Sequence, residues 1–298
     1  MSRSRAQVSP QHGRRFVVTG ASSGIGLATA RALAAAGGHV VLAVRDPAKG
    51  EAAARSMAGT VEVRHLDVAD LASVRAFAAG VGEVDVLVNN AGVMAVPQSL
   101  SADGFELQLA TNHLGHFALV NLLLPRLGDR VVVVSSHSHR HARLDLADLG
   151  YERRPYHPYG AYAQSKLANL LMVLELQRRL TALGSALRVM AAHPGYTATA
   201  IQGNAGNRTF RRISAVGNLL VGMPAWRGAL PTLYAATEDL PGNSYLGPHR
   251  WRGLHGWPTL VGRSRAASDP DLARRLWARC EELTGTSFPA GPLSGPPR

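Results

Sequence analysis

The stretch Thr19-Gly-Ala-Ser-Ser-Gly-Ile-Gly26 decides the fold. It follows a short β-branched and aromatic run, Arg14 to Thr19, and leads into an Ala- and Leu-rich segment, Gly24 to Ala36, so it reads as strand, glycine turn, helix. A helix that opens at such a turn aims its unpaired N–H groups and the positive end of its dipole at one place, where a pyrophosphate can be held. Gly20 permits the tight turn, Gly24 lets the backbone approach phosphate, and Gly26 lets the helix pack closely on the strand. Ser22, Ser23 and Ile25 complete this expected cradle. Taken alone, the stretch also fits a glycine turn kept only for strand-to-helix geometry.

Outward from this turn the same alternation repeats. Strands are expected at His39 to Val44, Val61 to Leu66 and Val84 to Val88, with helices at Pro47 to Met57 and Leu71 to Val81 between them. The runs Val84 to Val88 and Arg130 to Val134 are too apolar for a half-exposed sheet and suit strands covered on both faces. A long helix from about Ala161 to Leu183 and a strand from Ala186 to Ala191 follow. Alternating βα units of this kind predict an α/β fold, a Rossmann-like doubly wound parallel sheet in a single domain. The expected organisation is a flexible basic arm over residues 1–13, one nucleotide-binding domain over 14–287, and a Pro/Gly/Ser-rich disordered tail over 288–298. The Gly/Asn-rich stretch Gly203 to Asn207 is a candidate mobile loop.

Composition narrows the function classes. With 298 residues and 46% hydrophobic content the chain can bury a sizeable core. The N-terminal arm lacks the apolar region of a secretory signal, and no apolar run is long enough to span a bilayer, so a soluble, cytoplasmic protein is expected. Cys280 is the only cysteine, which excludes an intramolecular disulfide and a cysteine-based zinc cluster. The net charge of +12 invites a nucleic-acid reading. The arginines are scattered, however, and no zinc-finger spacing or RNA-recognition motif accompanies them, so no nucleic-acid partner is expected.

Two further places carry chemistry. Val44 ends the second strand and Arg45 follows it, where an arginine favours a 2′-phosphate and an acid would favour a free ribose hydroxyl. Arg45 thus points to NADP(H), while Asp46 turning back to the ribose leaves NAD(H) possible. Tyr162-Ala-Gln-Ser-Lys166 lies near the start of the long helix, where i and i+4 spacing puts phenol and ammonium on one face. A neighbouring cation is expected to pull the phenol pKa down from about 10, so that Tyr162 can protonate a carbonyl oxygen or deprotonate an alcohol. Only Lys49 and Lys166 are lysines among 32 basic residues, which gives the placement of Lys166 weight.

With Thr19 to Gly26, Asp67-Val68, Asn89-Asn90-Ala91-Gly92, Asn112, Ser136, Tyr162 to Lys166 and Pro194-Gly195 with Thr199 in order, the chain resembles the short-chain dehydrogenase/reductase family over nearly its whole folded length. Within it the retinol-dehydrogenase-like branch looks closest, through Arg45 to Gly50, Asn112 to Phe117 and Tyr162 to Asn169. The resemblance implies that Asn112, Ser136, Tyr162 and Lys166 form the catalytic set. Ser136 would orient the substrate carbonyl and Asn112 would hold a water linking Lys166 to solvent. It also implies that Asp67 and Val68 meet the adenine, that Asn89, Ala91 and Gly92 shape the cofactor cleft, and that Pro194, Gly195, Thr197 and Thr199 cover the nicotinamide. Ser135 is the rival of Ser136; in an extended segment the two face opposite sides, so only one reaches Tyr162, and the family pattern favours Ser136.

The implied activity is hydride transfer between an NADP(H) nicotinamide and a carbonyl or alcohol carbon, without a metal. The alternative is a catalytically silent nucleotide sensor or scaffold on the same fold. Between Ser136 and Tyr162 lies an insert containing His137, His139 and His141, which would share a face if extended. No carboxylate or cysteine completes a metal-ligand spacing there, so a polar wall of the substrate pocket is expected. Tyr196, Phe210, Leu219 and Met223 would line the rest of that pocket and suit a fairly apolar small molecule. A homo-oligomer is possible by family habit.

Overall fold

The computed structural model describes residues 8–197 and 223–289. Its sheet has eight strands: β1 (Arg15–Thr19), β2 (His39–Val44), β3 (Val61–His65), β4 (Val84–Asn89), β5 (Leu127–Val134), β6 (Arg188–Ala192), β7 (Tyr245–Arg250) and β8 (His255–Leu260). They run in the order β3-β2-β1-β4-β5-β6-β7-β8, parallel from β3 through β7, with β8 added antiparallel at the edge. The order reverses between β1 and β4, the switch point beside which open α/β sheets bind ligands.

Side-chain alternation along the strands divides the core into two layers. Val17, Val41, Leu87, Val131 and Val189 face one side, where they meet helices α3 (Leu71–Gly80), α4 (Leu107–Leu109), α5 (Gly115–Leu123), α6 (Pro158–Ala182) and the helix Pro270–Thr284. Phe16, Val18, Leu42, Val86 and Met190 face the other, against α1 (Gly24–Ala35), α2 (Pro47–Ala54) and the helix Ala225–Thr237. Both faces are therefore covered, as the apolar strand runs require.

Two boundaries differ from expectation. The chain is already packed at Gln11, which is buried and donates its N–H to the Ala36 carbonyl at 2.8 Å, so the basic arm does not extend to residue 13. At the other end Phe288 packs against Trp277 and donates its N–H to Glu281 at 3.0 Å, so the tail is tied down where disorder was expected to begin. Gly203 to Asn207 lies outside the described residues. Among the described residues no helix is long and apolar enough to cross a membrane.

Candidate active site

The carboxyl ends of the strands open into a cleft of about 500 Å³. Gly20, Ser22, Ser23, Gly24, Ile25 and Gly26 form one end of it. Gly20 has φ +67°, a left-handed conformation that glycine adopts without strain. A Cβ on Gly26 would lie 2.5 Å from the Gly20 carbonyl oxygen, so the helix start closes on the turn only because residue 26 lacks a side chain. Ser23, the N-cap of α1, makes no side-chain cap hydrogen bond. The first-turn N–H groups of α1 are thus left without the usual internal acceptor, as a pyrophosphate cradle needs.

Thr19 holds the neighbouring wall. Its hydroxyl oxygen accepts the N–H groups of Asn90 and Ala91, each at 2.9 Å, and the Asn90 side chain donates to the Thr19 carbonyl at 2.8 Å. Asn90, Ala91 and Gly92 line the cleft, together with Asp67 and Val68. Asn89, expected in the cleft, is instead the last residue of β4; it is buried, and its amide has no hydrogen-bond partner among the described residues. Arg45, Asp46 and Lys49 also line the cleft. Asp46 caps α2 through the Lys49 N–H at 3.2 Å and pairs with the Lys49 ammonium at 3.2 Å. Arg45 is exposed. Val93 and Thr111 also line the cleft, with no sequence signal to mark them.

At the other end of the cleft Tyr162 and Lys166 lie one turn apart on α6, with the ammonium 5.7 Å from the phenol ring centroid. Lys166 is buried and donates to the Val134 carbonyl at 3.1 Å. Burial pushes its pKa down to about 8, and burial pushes Tyr162 up to about 12 against the opposing effect of a hydrogen bond with Ser136. The expectation that Lys166 draws the phenol below its ordinary value is not met: desolvation is the largest effect on Tyr162 and favours the protonated phenol. The Ser136 hydroxyl meets Tyr162, whereas Ser135, which lines the cleft, donates its hydroxyl to the Lys166 carbonyl at 2.7 Å.

Asn112 does not face open water. It sits in a single π-helical turn, Ala110–Leu114, and is fully buried. Its side chain accepts the Val93 N–H at 2.8 Å and donates to the Val93 carbonyl and to Ser165, each at 2.9 Å. The residue thereby clamps the loop after β4 to the helix that carries Tyr162. Pro194 lines the cleft, while Gly195 packs under the Leu254 carbonyl and Thr197 folds back to donate to the Pro194 carbonyl at 2.9 Å. Thr199, Phe210 and Leu219 lie outside the described residues. Met223 is buried, its N–H donating to the Tyr196 carbonyl at 2.9 Å.

The histidine insert is not extended. His137–His141 forms a 3-10 turn capped by Ser136, and no group of three or more His, Cys, Asp or Glu that could hold a metal occurs among the described residues. The remainder of the insert is fastened by Asp148, whose carboxylate accepts the N–H groups of Glu152, Arg153 and Arg154.

Comparison with known proteins agrees with this arrangement. The family model for short chain dehydrogenases matches residues 14–209. Human retinol dehydrogenase 13 is 41% identical over 93% of this chain and 86% of its own length. Mouse polyprenol dehydrogenase is 41% identical over 93% of this chain and 85% of its own. A crystal structure of an uncharacterised protein from Mycobacterium paratuberculosis superimposes with a TM-score of 0.85 at 55% identity, covering 95% of this chain and 98% of the other. The glycine turn, the switch-point cleft and the Tyr162–Lys166 helix accordingly belong to a member of the short-chain dehydrogenase/reductase family, in its retinol-dehydrogenase-like branch.

Proposed function

We propose that this chain is an NADP(H)-dependent oxidoreductase interconverting a carbonyl and an alcohol on a fairly apolar small molecule, with Tyr162 as general acid or base. The observation that carries the reading is the Tyr162 hydroxyl beside Ser136, one helical turn from the buried Lys166 ammonium, in the same cleft as the uncapped α1 terminus. A bound nicotinamide would supply or receive the hydride. Tyr162 donates its proton to the carbonyl oxygen, or takes one from the alcohol in the reverse direction. Ser136 orients that oxygen, and the Lys166 ammonium stabilises the phenolate left behind. Asn112 positions the helix that holds both. Replacing Tyr162 with Phe should lower kcat by roughly 10²- to 10⁴-fold and leave NADPH binding intact. Steady-state oxidation of NADPH with a panel of aldehydes and ketones, alongside a fluorescence titration of the cofactor, tests both halves. Full retention of activity in Tyr162→Phe would remove the assignment.

NADP(H) is preferred because the cleft carries Arg45 and Lys49 side by side, while the carboxylate next to them, Asp46, is engaged in capping α2 and pairing with Lys49. A 2′-phosphate there would meet two cations. Arg45→Asp should shift the NADPH-to-NADH ratio of kcat/KM toward NADH by on the order of tenfold or more. An unchanged ratio would clear Arg45 of the role. The retinol- and polyprenol-dehydrogenase relatives support an apolar, terpenoid-like alcohol or aldehyde as the substrate class. The single buried cysteine suits work in the reducing cytoplasm.

A further inference from the structure

A second cavity, of about 680 Å³, lies outside the carboxyl ends of β5, β6 and β7. Its lining includes His137, which directly follows Ser136, and Tyr245, which flanks Ser135, so it shares a wall with the active site. The volume is that of a ligand pocket and not of a packing defect. No described lining residue is acidic, and Arg140 is an exposed guanidinium among them.

The lining offers hydrogen-bond donors. His193 accepts the Gly195 N–H on Nδ1 at 3.3 Å, and His249 Nδ1 faces both the N–H and the carbonyl of Trp257, at 2.9 and 3.2 Å. A neutral imidazole that accepts on one nitrogen carries its proton on the other, so His193 is a donor through Nε2, and so is His249 in the tautomer that takes the shorter contact, from the Trp257 N–H. His193 stays neutral, burial having pushed its pKa down to about 3. His139 differs: Nδ1 donates to the Ser136 carbonyl at 2.7 Å and Nε2 accepts the Ser264 N–H at 3.2 Å, which exhausts the ring. Tyr245 is 3% exposed, and its hydroxyl makes no well-formed hydrogen bond among the described residues. The neighbouring Ser135 gives its own proton to the Lys166 carbonyl. Burial raises the Tyr245 pKa, so this hydroxyl too is a donor. An unpartnered buried hydroxyl is costly unless a ligand satisfies it.

We infer that this cavity is an oxyanion site, in which a carboxylate or phosphate group accepts from the Arg140 guanidinium, the Nε2–H groups of His193 and His249, and the Tyr245 hydroxyl. Such groups are acceptor-only when ionised and match a lining that presents donors and one cation. The binding site stands by itself; that the anion is part of the substrate, a polar head on an otherwise apolar molecule, rests on the oxidoreductase reading above.

Inorganic phosphate and acetate, each titrated at millimolar concentration into the isotope-labelled full chain, should saturably shift the ring N–H signals of His193 and His249, the latter identified by its loss in His249→Gln. Arg140→Ala should abolish the shift, and Tyr245→Phe should weaken it. Ring signals unmoved by both anions overturn the proposal. Kinetics then locate the anion. An aldehyde with a terminal carboxylate should exceed its methyl ester in kcat/KM by about tenfold, and the ratio should fall toward one in Arg140→Ala. Equal use of acid and ester, with saturable phosphate binding, assigns the site to a free anion. Anion binding without turnover of any carbonyl keeps the site and removes the oxidoreductase reading.

Discussion

Lys166, the cation proposed beside Tyr162, works against the fold that holds it. Its ammonium is buried with one carbonyl partner, and its folded pKa of about 8 lies below the ordinary 10.5. At neutral pH both folded and unfolded chains carry the proton, so the full desolvation penalty is present. Between about 8 and 10.5 the folded chain releases the proton while the unfolded chain keeps it, and stability rises with pH. Lys166→Met should therefore be more stable than wild type at neutral pH, by up to about 3 kcal/mol, and inactive. The difference should shrink in urea unfolding at alkaline pH, below the range where Tyr162 begins to titrate in the unfolded chain. A constant difference across that window would contradict the buried-charge account. The spacing that sets Tyr162 and Lys166 one turn apart on α6 is legible in the sequence, while the choice of Ser136 over Ser135 comes from the family resemblance. The place of Asn89 is not legible: β4 runs one residue beyond its last valine and takes Asn89 into the buried strand, leaving Asn90 to line the cleft.

Among elements, the first six strands and α1, α2, α3 and α6 follow from apolar runs and caps visible in the sequence. The β7–β8 hairpin does not, because Pro248 and Pro258 stand opposite each other in register and each lacks the N–H that a ladder position uses. Such a pair is tolerated here because β8 is the edge of the sheet. The π-helical turn at Ala110–Leu114 is equally silent, since a slip in helical register leaves no compositional mark. It nonetheless brings Asn112 to Val93 and Ser165. Asn112→Asp keeps the acceptor for the Val93 N–H but sets a carboxylate oxygen against the Val93 carbonyl and removes the bond to Ser165. It should destabilise the chain by about 2–4 kcal/mol and weaken NADPH binding. Thermal unfolding and a cofactor titration measure the two effects; a variant within 1 kcal/mol of wild type would show that the clamp is not needed.

At the scale of the whole molecule, buried imidazoles make the fold and the cleft sensitive to acid. Burial pushes His113 and His139 down to about 4 and His116 and His193 down to about 3, from an ordinary 6.5. Each ring is enclosed by the packed interior, and His116 joins distant parts of it. Its Nδ1 faces the Asn112 carbonyl at 3.4 Å and its Nε2 the Thr19 hydroxyl at 2.9 Å, linking the glycine turn to the π-helical turn. The neutral ring donates from Nδ1 and accepts from Thr19, whose oxygen already receives two N–H groups. Protonating Nε2 would turn an acceptor into a donor and break that pattern. Below 6.5 the unfolded chain binds protons that the folded chain refuses, so stability falls with pH, by up to about 1.4 kcal/mol per pH unit for each histidine. The ion-paired carboxylates Asp129 and Glu175, whose pKa values are lowered from 3.8 and 4.5, contribute their losses only further toward acid. Urea midpoints should thus be flat near neutrality and decline between pH 6.5 and about 4, ahead of carboxylate titration. His116→Gln, which offers an amide oxygen and an amide N–H in place of the ring nitrogens without a titratable proton, should remove about one histidine's share of that slope. If the slope in His116→Gln equals that of wild type, the acid sensitivity arises elsewhere, and His116 serves only as packing between the two turns.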